Sequence, residues 1–196
     1  MRVLVACEFS GRVRQAFRDL GHDAWSCDLL PSEDESAHHV QGDVLGVVAD
    51  QWDIGIFHPP CTDLAVSGAR HFAAKKADGR QDAALDFVRA LLDAPIPRIA
   101  LENPVSIISS KIRKPDQIIQ PFMFGHPERK ATCLWLKGLP RLLPTHDVEA
   151  EMMALPKRER ERVHYMPPDP DRWKNRSRTF QGIANAMARQ WGEYAL

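Results

Sequence analysis

The chain has 196 residues, 44% of them hydrophobic and 27% charged, with a formal net charge of zero. That length suits one domain with a sizeable core, and two would be cramped. No run approaches the ~20 apolar residues of a membrane span, and neutrality argues against massive non-specific nucleic-acid binding while leaving room for a local basic face. The four cysteines form no C-x-x-C pair and the eight histidines are scattered, so no metal site is expected. Met1-Arg2 leads straight into a strand-like run too short for a signal peptide's apolar region, which points to a cytoplasmic location.

In chain order, residues 2–7 read as a first strand, Glu8-Phe9-Ser10-Gly11 as a turn, and Arg12 to Leu20 as a helix whose Val13, Ala16, Phe17 and Leu20 share a face. Ala24–Cys27 is a second strand ending in Asp28. Polar residues 31–39 precede a short edge or turn at 40–44. Residues 52–57 are a buried strand, and 80–93 a helix with an apolar stripe at 3.6-residue spacing. Ile99-Ala100-Leu101 is a strand running into Glu102-Asn103-Pro104. The Pro- and Lys/Arg-rich residues 105–130 have no clear assignment. Ala131–Leu136 is a further strand, 138–175 are largely irregular with one charged helix near 148–163, and 180–194 form a closing helix. This order is that of an α/β, doubly wound parallel sheet.

Chemistry gathers at the strand ends, where open α/β sheets bind ligands. After Phe57 come His58-Pro59-Pro60-Cys61-Thr62. The prolines stop the ladder, because proline lacks an N–H and fixes φ, and Cys61 is thrown into a loop. A thiol there is either reactive or packed as a small hydrophobe; Cys7, Cys27 and Cys133, in apolar runs, read as packed. Glu102 follows another strand and can face Cys61 across the crevice, or cap a turn. The turn at 9–11 has a single glycine and lacks the G-x-G-x-x-G pattern. Asp28, about 20 residues beyond that turn, is placed for a ribose hydroxyl or is a solvent-facing aspartate. Asp43 lies at the same edge.

With these residues in view, the chain resembles a compact, phage- or prophage-type DNA cytosine-5 methyltransferase with a shortened target-recognition region. Pro59-Pro60-Cys61 resembles the family's nucleophile loop, and Glu102-Asn103 its Glu-Asn motif. Phe9-Ser10-Gly11 resembles its cofactor loop, Asp28 its ribose-binding acid and Asp43 its adenine-contacting Asp. Gly182–Ala188 resembles its C-terminal cofactor-side helix. Order and spacing agree over 3–136 and 177–191. Thr62 stands where the family has Gln, Glu8 and Arg12 where glycine is common, and Glu128–Thr132 only approximates its Gln-x-Arg-x-Arg element.

The resemblance implies a Rossmann-like sheet of the class I S-adenosylmethionine-dependent methyltransferase type. It implies a catalytic and cofactor-binding core at 1–137, a short variable region at 138–175 and a helical segment at 176–196 packing back on the core. It also implies S-adenosylmethionine held by Phe9, Ser10, Gly11, Asp28, Leu29, Asp43, Val44 and Pro59. The target cytosine of DNA, flipped or single-stranded, would meet Pro60, Thr62, Lys130, Trp173 and Arg178. Cys61 is the implied nucleophile for carbon 6. Glu102 meets ring nitrogen 3, with a pKa raised by burial. Asn103 positions the loop, and Arg129 or Lys130 contacts the base carbonyl. Lys111, Arg113, Lys114, Arg172, Lys174 and Arg176 are either phosphate contacts or solvated loops, and Trp173 either stacks on a base or anchors a loop. Two other readings stay open: modification of a free pyrimidine nucleotide or RNA, or transfer of another group; and a catalytically idle nucleic-acid-binding module.

Overall fold

A computed structural model describes residues 1–194. The last two residues of the expected 176–196 segment lie outside the described residues. The elements in chain order are β1 (Arg2–Ala6), α1 (Arg12–Arg18), β2 (Asp23–Asp28), β3 (His39–Gln41), β4 (Ile54–Phe57), α2 (Phe72–Ala77), α3 (Arg80–Leu92), β5 (Arg98–Pro104), α4 (Ile108–Lys111), β6 (Gln117–Ile119), β7 (Thr132–Lys137), α5 (Glu149–Ala154), α6 (Lys157–Arg160), α7 (Arg162–Tyr165), α8 (Arg172–Ser177) and α9 (Gln181–Tyr194).

The seven strands form one sheet in the order β3-β2-β1-β4-β5-β7-β6. β3, β2, β1, β4 and β5 pair in parallel, while β7 runs antiparallel to both β5 and β6. The expected all-parallel sheet therefore becomes mixed at one edge. Strands buried on both faces split their side chains by the two-residue period. Val3, Val5, Ile54, Ile56, Ala100 and Leu134 face one layer, where they pack with Val13 and Phe17 of α1 and Ile183, Met187 and Trp191 of α9. Leu4, Ala6, Phe57, Ile99, Leu101 and Trp135 face the other, with Leu85, Val88 and Leu91 of α3. The indole N–H of Trp191 donates to the Pro140 carbonyl at 2.9 Å, so the buried ring leaves no unmet donor.

Three further expectations are corrected. Glu102, Asn103 and Pro104 lie within β5, paired with Leu134, Cys133 and Thr132, rather than after a shorter strand. Residues 105–130 hold α4 and β6. The single charged helix near 148–163 is three short helices, and α8 follows them. Leu155 breaks off α5 in extended backbone and Pro156 caps α6, where a proline ring cannot continue a preceding helix. No described helix is long and apolar enough to cross a membrane.

Candidate active site

β1 and β4 are neighbours whose chains leave in opposite directions across the sheet, the first toward β2 and the second toward β5. Their loops part at that switch point, and a cavity of about 780 Å³ opens there. One wall is the turn after β1. Cys7 has a left-handed backbone, φ 59°, and its N–H reaches the Cys27 carbonyl at 2.7 Å, bending the chain over the end of β2. The buried Glu8 carboxylate accepts from the backbone N–H groups of Val13, at 2.7 Å, and Arg14, at 3.3 Å. These are first-turn donors without intrahelical partners, and a carboxylate at a helix start is favourable. Glu8 thus does the capping that a side chain at Gly11, φ 68°, does not supply.

Behind this turn lies a buried polar network. Arg14 has no exposed side-chain surface, pairs with Asp34 and donates to Ser26 Oγ at 2.9 Å. Ser26 in turn meets His39 Nδ1 at 2.8 Å. The network fastens α1, β2, β3 and the 31–36 loop together.

The opposite wall is built by β4 and β5. His58 extends the ladder by one more bond, its N–H donating to the Ala6 carbonyl at 2.9 Å, and the two prolines then release the strand. Asn103, 1% exposed, donates from Nδ2 to the Pro59 carbonyl at 2.9 Å, so β5 grips the loop that carries Cys61. The far side of that loop is held too. Lys75 donates to the Thr62 carbonyl and lies 3.3 Å from Asp63, and Ala65 bridges to Ser106. Cys61 is open to solvent, and Glu102 and His58 line the same cavity.

The electrostatics set the resting state. The protein surrounding Cys61 pushes its thiol above the ordinary range, and Glu102 adds to this, while the cations of Lys130 and Arg176 oppose it. Burial alone would raise Glu102. The hydrogen bond from His58 Nδ1 at 3.0 Å, with the charges of His58 and Lys130, outweighs it and holds the carboxyl below its usual range. The expected burial-raised Glu102 is thereby corrected: a partner missed in the sequence reverses the sign. Cys7 is half-buried, packs against the core layer that holds Leu4 and Phe57 as expected and also lines the cavity, with its thiol pushed up to about 12 by burial and by Asp28. Cys27 and Cys133 are buried as expected.

Residues 161–179, most of which fall in the 138–175 stretch expected to be largely irregular, roof the cavity with Val163, His164, Trp173, Arg176 and Arg178. The roof is fastened by polar contacts. Arg162 pairs with Glu128, Arg178 with Glu33, Lys130 Nζ donates to the Arg176 carbonyl at 2.9 Å, and Arg12 donates to the Thr179 carbonyl at 2.9 Å.

Phe9, Ser10, Pro59, Pro60, Cys61, Thr62, Glu102, Asn103, Arg129, Lys130, Trp173 and Arg178 all come together on this cavity. Gly11, Asp28, Leu29, Asp43 and Val44 do not line it. Asp28 sits at the end of β2, where its Oδ1 accepts from the Leu30 N–H at 2.9 Å, and Leu29 beside it is 73% exposed. Asp43 accepts from the Leu45 N–H at 3.0 Å, and Val44 is buried in the core. The Gly42 N–H bonds the Asp28 carbonyl at 2.9 Å, so these acids share one strand-end edge next to Cys7. Trp173 packs its ring 6.0 Å from that of Phe9 and remains 54% exposed. Arg113 is engaged by Asp116 and by the Leu136 carbonyl, outside the cavity. Sequence reasoning missed His58, Glu8 and Gln120 as wall residues; a titratable side chain directly before Pro59 was the available signal for the first. Among the described residues, no group of three or more His, Cys, Asp or Glu is placed to hold a metal ion.

No family model and no curated protein matches the chain. Among solved structures, it is similar to the crystal structure of a candidate DNA modification methyltransferase encoded within a prophage of E. coli. The TM-score is 0.51 at 17% identity, over 80% of this chain and 56% of that one. The chain thus spans little more than half of that protein's length, and the likeness is one of fold. With the strand order and the antiparallel β7, it gives this chain an α/β, Rossmann-like methyltransferase fold.

Proposed function

We propose that the chain is an S-adenosylmethionine-dependent methyltransferase that modifies carbon 5 of cytosine in DNA through a covalent Cys61 adduct. The observation that carries this reading is the meeting of Cys61, on the β4 loop, with Glu102, on β5, in one cavity next to the β1 turn. A thiol that adds to carbon 6 needs a group at ring nitrogen 3 to neutralise the charge that develops there, and Glu102 is that group.

The donor set suits S-adenosylmethionine. Asp28 and Asp43 offer carboxylate acceptors for ribose hydroxyls and an amino group, exposed Leu29 offers an apolar surface, and Glu8 places a carboxylate in the cavity wall for a cationic group. Phe9, Ser10 and Pro59 form the wall nearest the thiol loop. When bound, S-adenosylmethionine supplies an electrophilic methyl group to carbon 5. Cys61, as thiolate, attacks carbon 6. Glu102 shares a proton with nitrogen 3 as the ring becomes an enamine. Loss of the carbon-5 proton to a base then lets the thiolate leave. Lys130 and Arg176 favour the thiolate, and Asn103 holds the thiol loop in attack geometry, reducing the entropy lost on the way. The segment 1–137 is the catalytic core in this reading, 138–175 stands in place of a recognition domain and supplies most of the roof, and 176 onward completes the roof and returns to the core.

The roof favours one second reading, a free pyrimidine nucleotide or RNA, because Val163, His164, Trp173, Arg176 and Arg178 overlie the cavity that holds Cys61. Incubation with tritiated S-adenosylmethionine and, separately, duplex DNA, single-stranded DNA, RNA and dCMP separates the two. Label in DNA is expected, and label confined to dCMP overturns the DNA reading. A covalent complex with 5-fluorocytosine DNA is expected for the wild type and not for Cys61→Ser. Full activity in Cys61→Ser refutes the mechanism.

A further inference from the structure

We propose that His58 is a positioning residue for Glu102: it holds one carboxylate oxygen and thereby aims the other at the base bound beside Cys61. This rests on Glu102 being the group that meets ring nitrogen 3. His58 Nδ1 and Glu102 Oε2 are 3.0 Å apart, and the two side chains are only 8% and 15% exposed. A carboxylate accepts and does not donate, so Nδ1 carries the proton. Nε2 is buried with no hydrogen-bond partner among the described residues. The Nδ1 contact to Glu102 is therefore the side-chain hydrogen bond that fixes the ring among the described residues.

The backbone makes the arm rigid. The His58 N–H is tied to the Ala6 carbonyl, and Pro59 follows with its fixed φ, so the imidazole leaves from a clamped position. Glu102 is equally fixed, within β5 opposite Leu134. The other titratable groups that bear on Glu102 do not replace this contact. Cys61, on the His58 side, is a thiol that repels the carboxylate once ionised. Cys133, on β7, has its thiol raised by burial and then by Glu102. Lys130, before β7, directs its Nζ to the Arg176 carbonyl. His58 is thus the hydrogen-bond partner of Glu102 among the described residues. The same donor keeps Glu102 ionised in the free protein, so the proton shared with nitrogen 3 enters from solvent when the base binds.

The test is a carbon-13 NMR titration of the full chain labelled at glutamate carboxyl carbons, read without substrate, together with steady-state kinetics. In His58→Leu, burial is left without its opposing donor, and the Glu102 titration is expected to move up past the ordinary carboxylate range. Turnover should fall by ~10-fold or more while KM for S-adenosylmethionine stays within ~2-fold, the pattern of a lost transition-state interaction. His58→Asn keeps an N–H where Nδ1 was and is expected to restore both the low titration and most of the turnover. An unmoved titration in His58→Leu, or a His58→Asn protein as impaired as His58→Leu, overturns the proposal. A chain that labels no nucleic acid or nucleotide fails the functional reading instead, and a shifted Glu102 titration still upholds the pairing.

Discussion

Asn103 and Pro59 are joined by a buried 2.9 Å hydrogen bond from side-chain amide to backbone carbonyl. The bond ties β5 to the loop that carries Cys61, so the spacing between Cys61 and Glu102 depends on one amide. The buried Asn103 Oδ1 has no hydrogen-bond partner among the described residues, a cost that the residue carries there. Asn103→Leu removes that cost but leaves the Pro59 carbonyl without its donor, so the two partly offset and stability should fall by about 1–2 kcal/mol. Turnover should drop ~10- to 100-fold, because a loosened loop loses attack geometry. Thermal melts beside methyl-transfer kinetics check both halves.

Cys61 should be a slow thiol at neutral pH. Its surroundings and Glu102 hold it protonated, so alkylation by iodoacetamide rises with pH and levels off only above the ordinary thiol range. Lys130→Ala and Arg176→Ala each remove an opposing cation and should push the midpoint further up. Mass spectrometry assigns the site. Cys27, buried and pushed up to about 11, and Cys133, buried, should remain unlabelled in the folded chain.

The Arg14 network makes a prediction about stability. Asp34→Ala leaves a wholly buried guanidinium with hydroxyl partners alone, which should cost about 3 kcal/mol and lower Tm by roughly 6–12 °C. Arg14→Met removes the charge together with its need for a partner and should cost less. Burial works to raise the Asp34 carboxyl, but Ser32 and Arg14 outweigh it and set it below its usual value. The stability it adds is therefore complete above the ordinary carboxylate pKa of about 4 and disappears as pH falls through the lowered value. Denaturant titrations of wild type and Asp34→Asn across that window should converge at the acid end.

Much of this was legible in the chain itself. The unbroken apolar run Val3-Leu4-Val5-Ala6 needs both faces covered, and both are. A pair of prolines directly after a buried strand marks a strand end, and the thiol indeed opens onto the cavity. The antiparallel β7 was not legible, because the apolar run at 131–136 carries no mark of direction. Nor was β6, whose three residues are recognisable only by their pairing with β7. The roof escaped because short helices held by ion pairs lack an apolar stripe. His58 was in plain view, but its meaning depends on Glu102, 44 residues away in sequence.

The roof should be the first part to open. The Arg178–Glu33 pair is partly exposed, and such pairs contribute at most about 1 kcal/mol. Arg178→Ala should leave Tm nearly unchanged yet speed tryptic cleavage within 157–176 several-fold, since local opening rather than global unfolding exposes that backbone. Cleavage that tracks global unfolding in both proteins would contradict this.

The packing of α1 against α9 also sets a schedule for synthesis. Arg12 bonds the Thr179 carbonyl, 167 residues downstream, and Val13 and Phe17 share one apolar layer with Ile183 and Met187. A ribosome therefore releases β1, α1, β4 and β5 well before the helix that covers their outer face exists. During that interval the layer around Val3, Val5 and Ile56 is bare, and the closing contact spans nearly the whole chain, the slowest kind to form. Nascent chains stalled before residue 181 should therefore bind chaperones, and those extended past Trp191 should shed them.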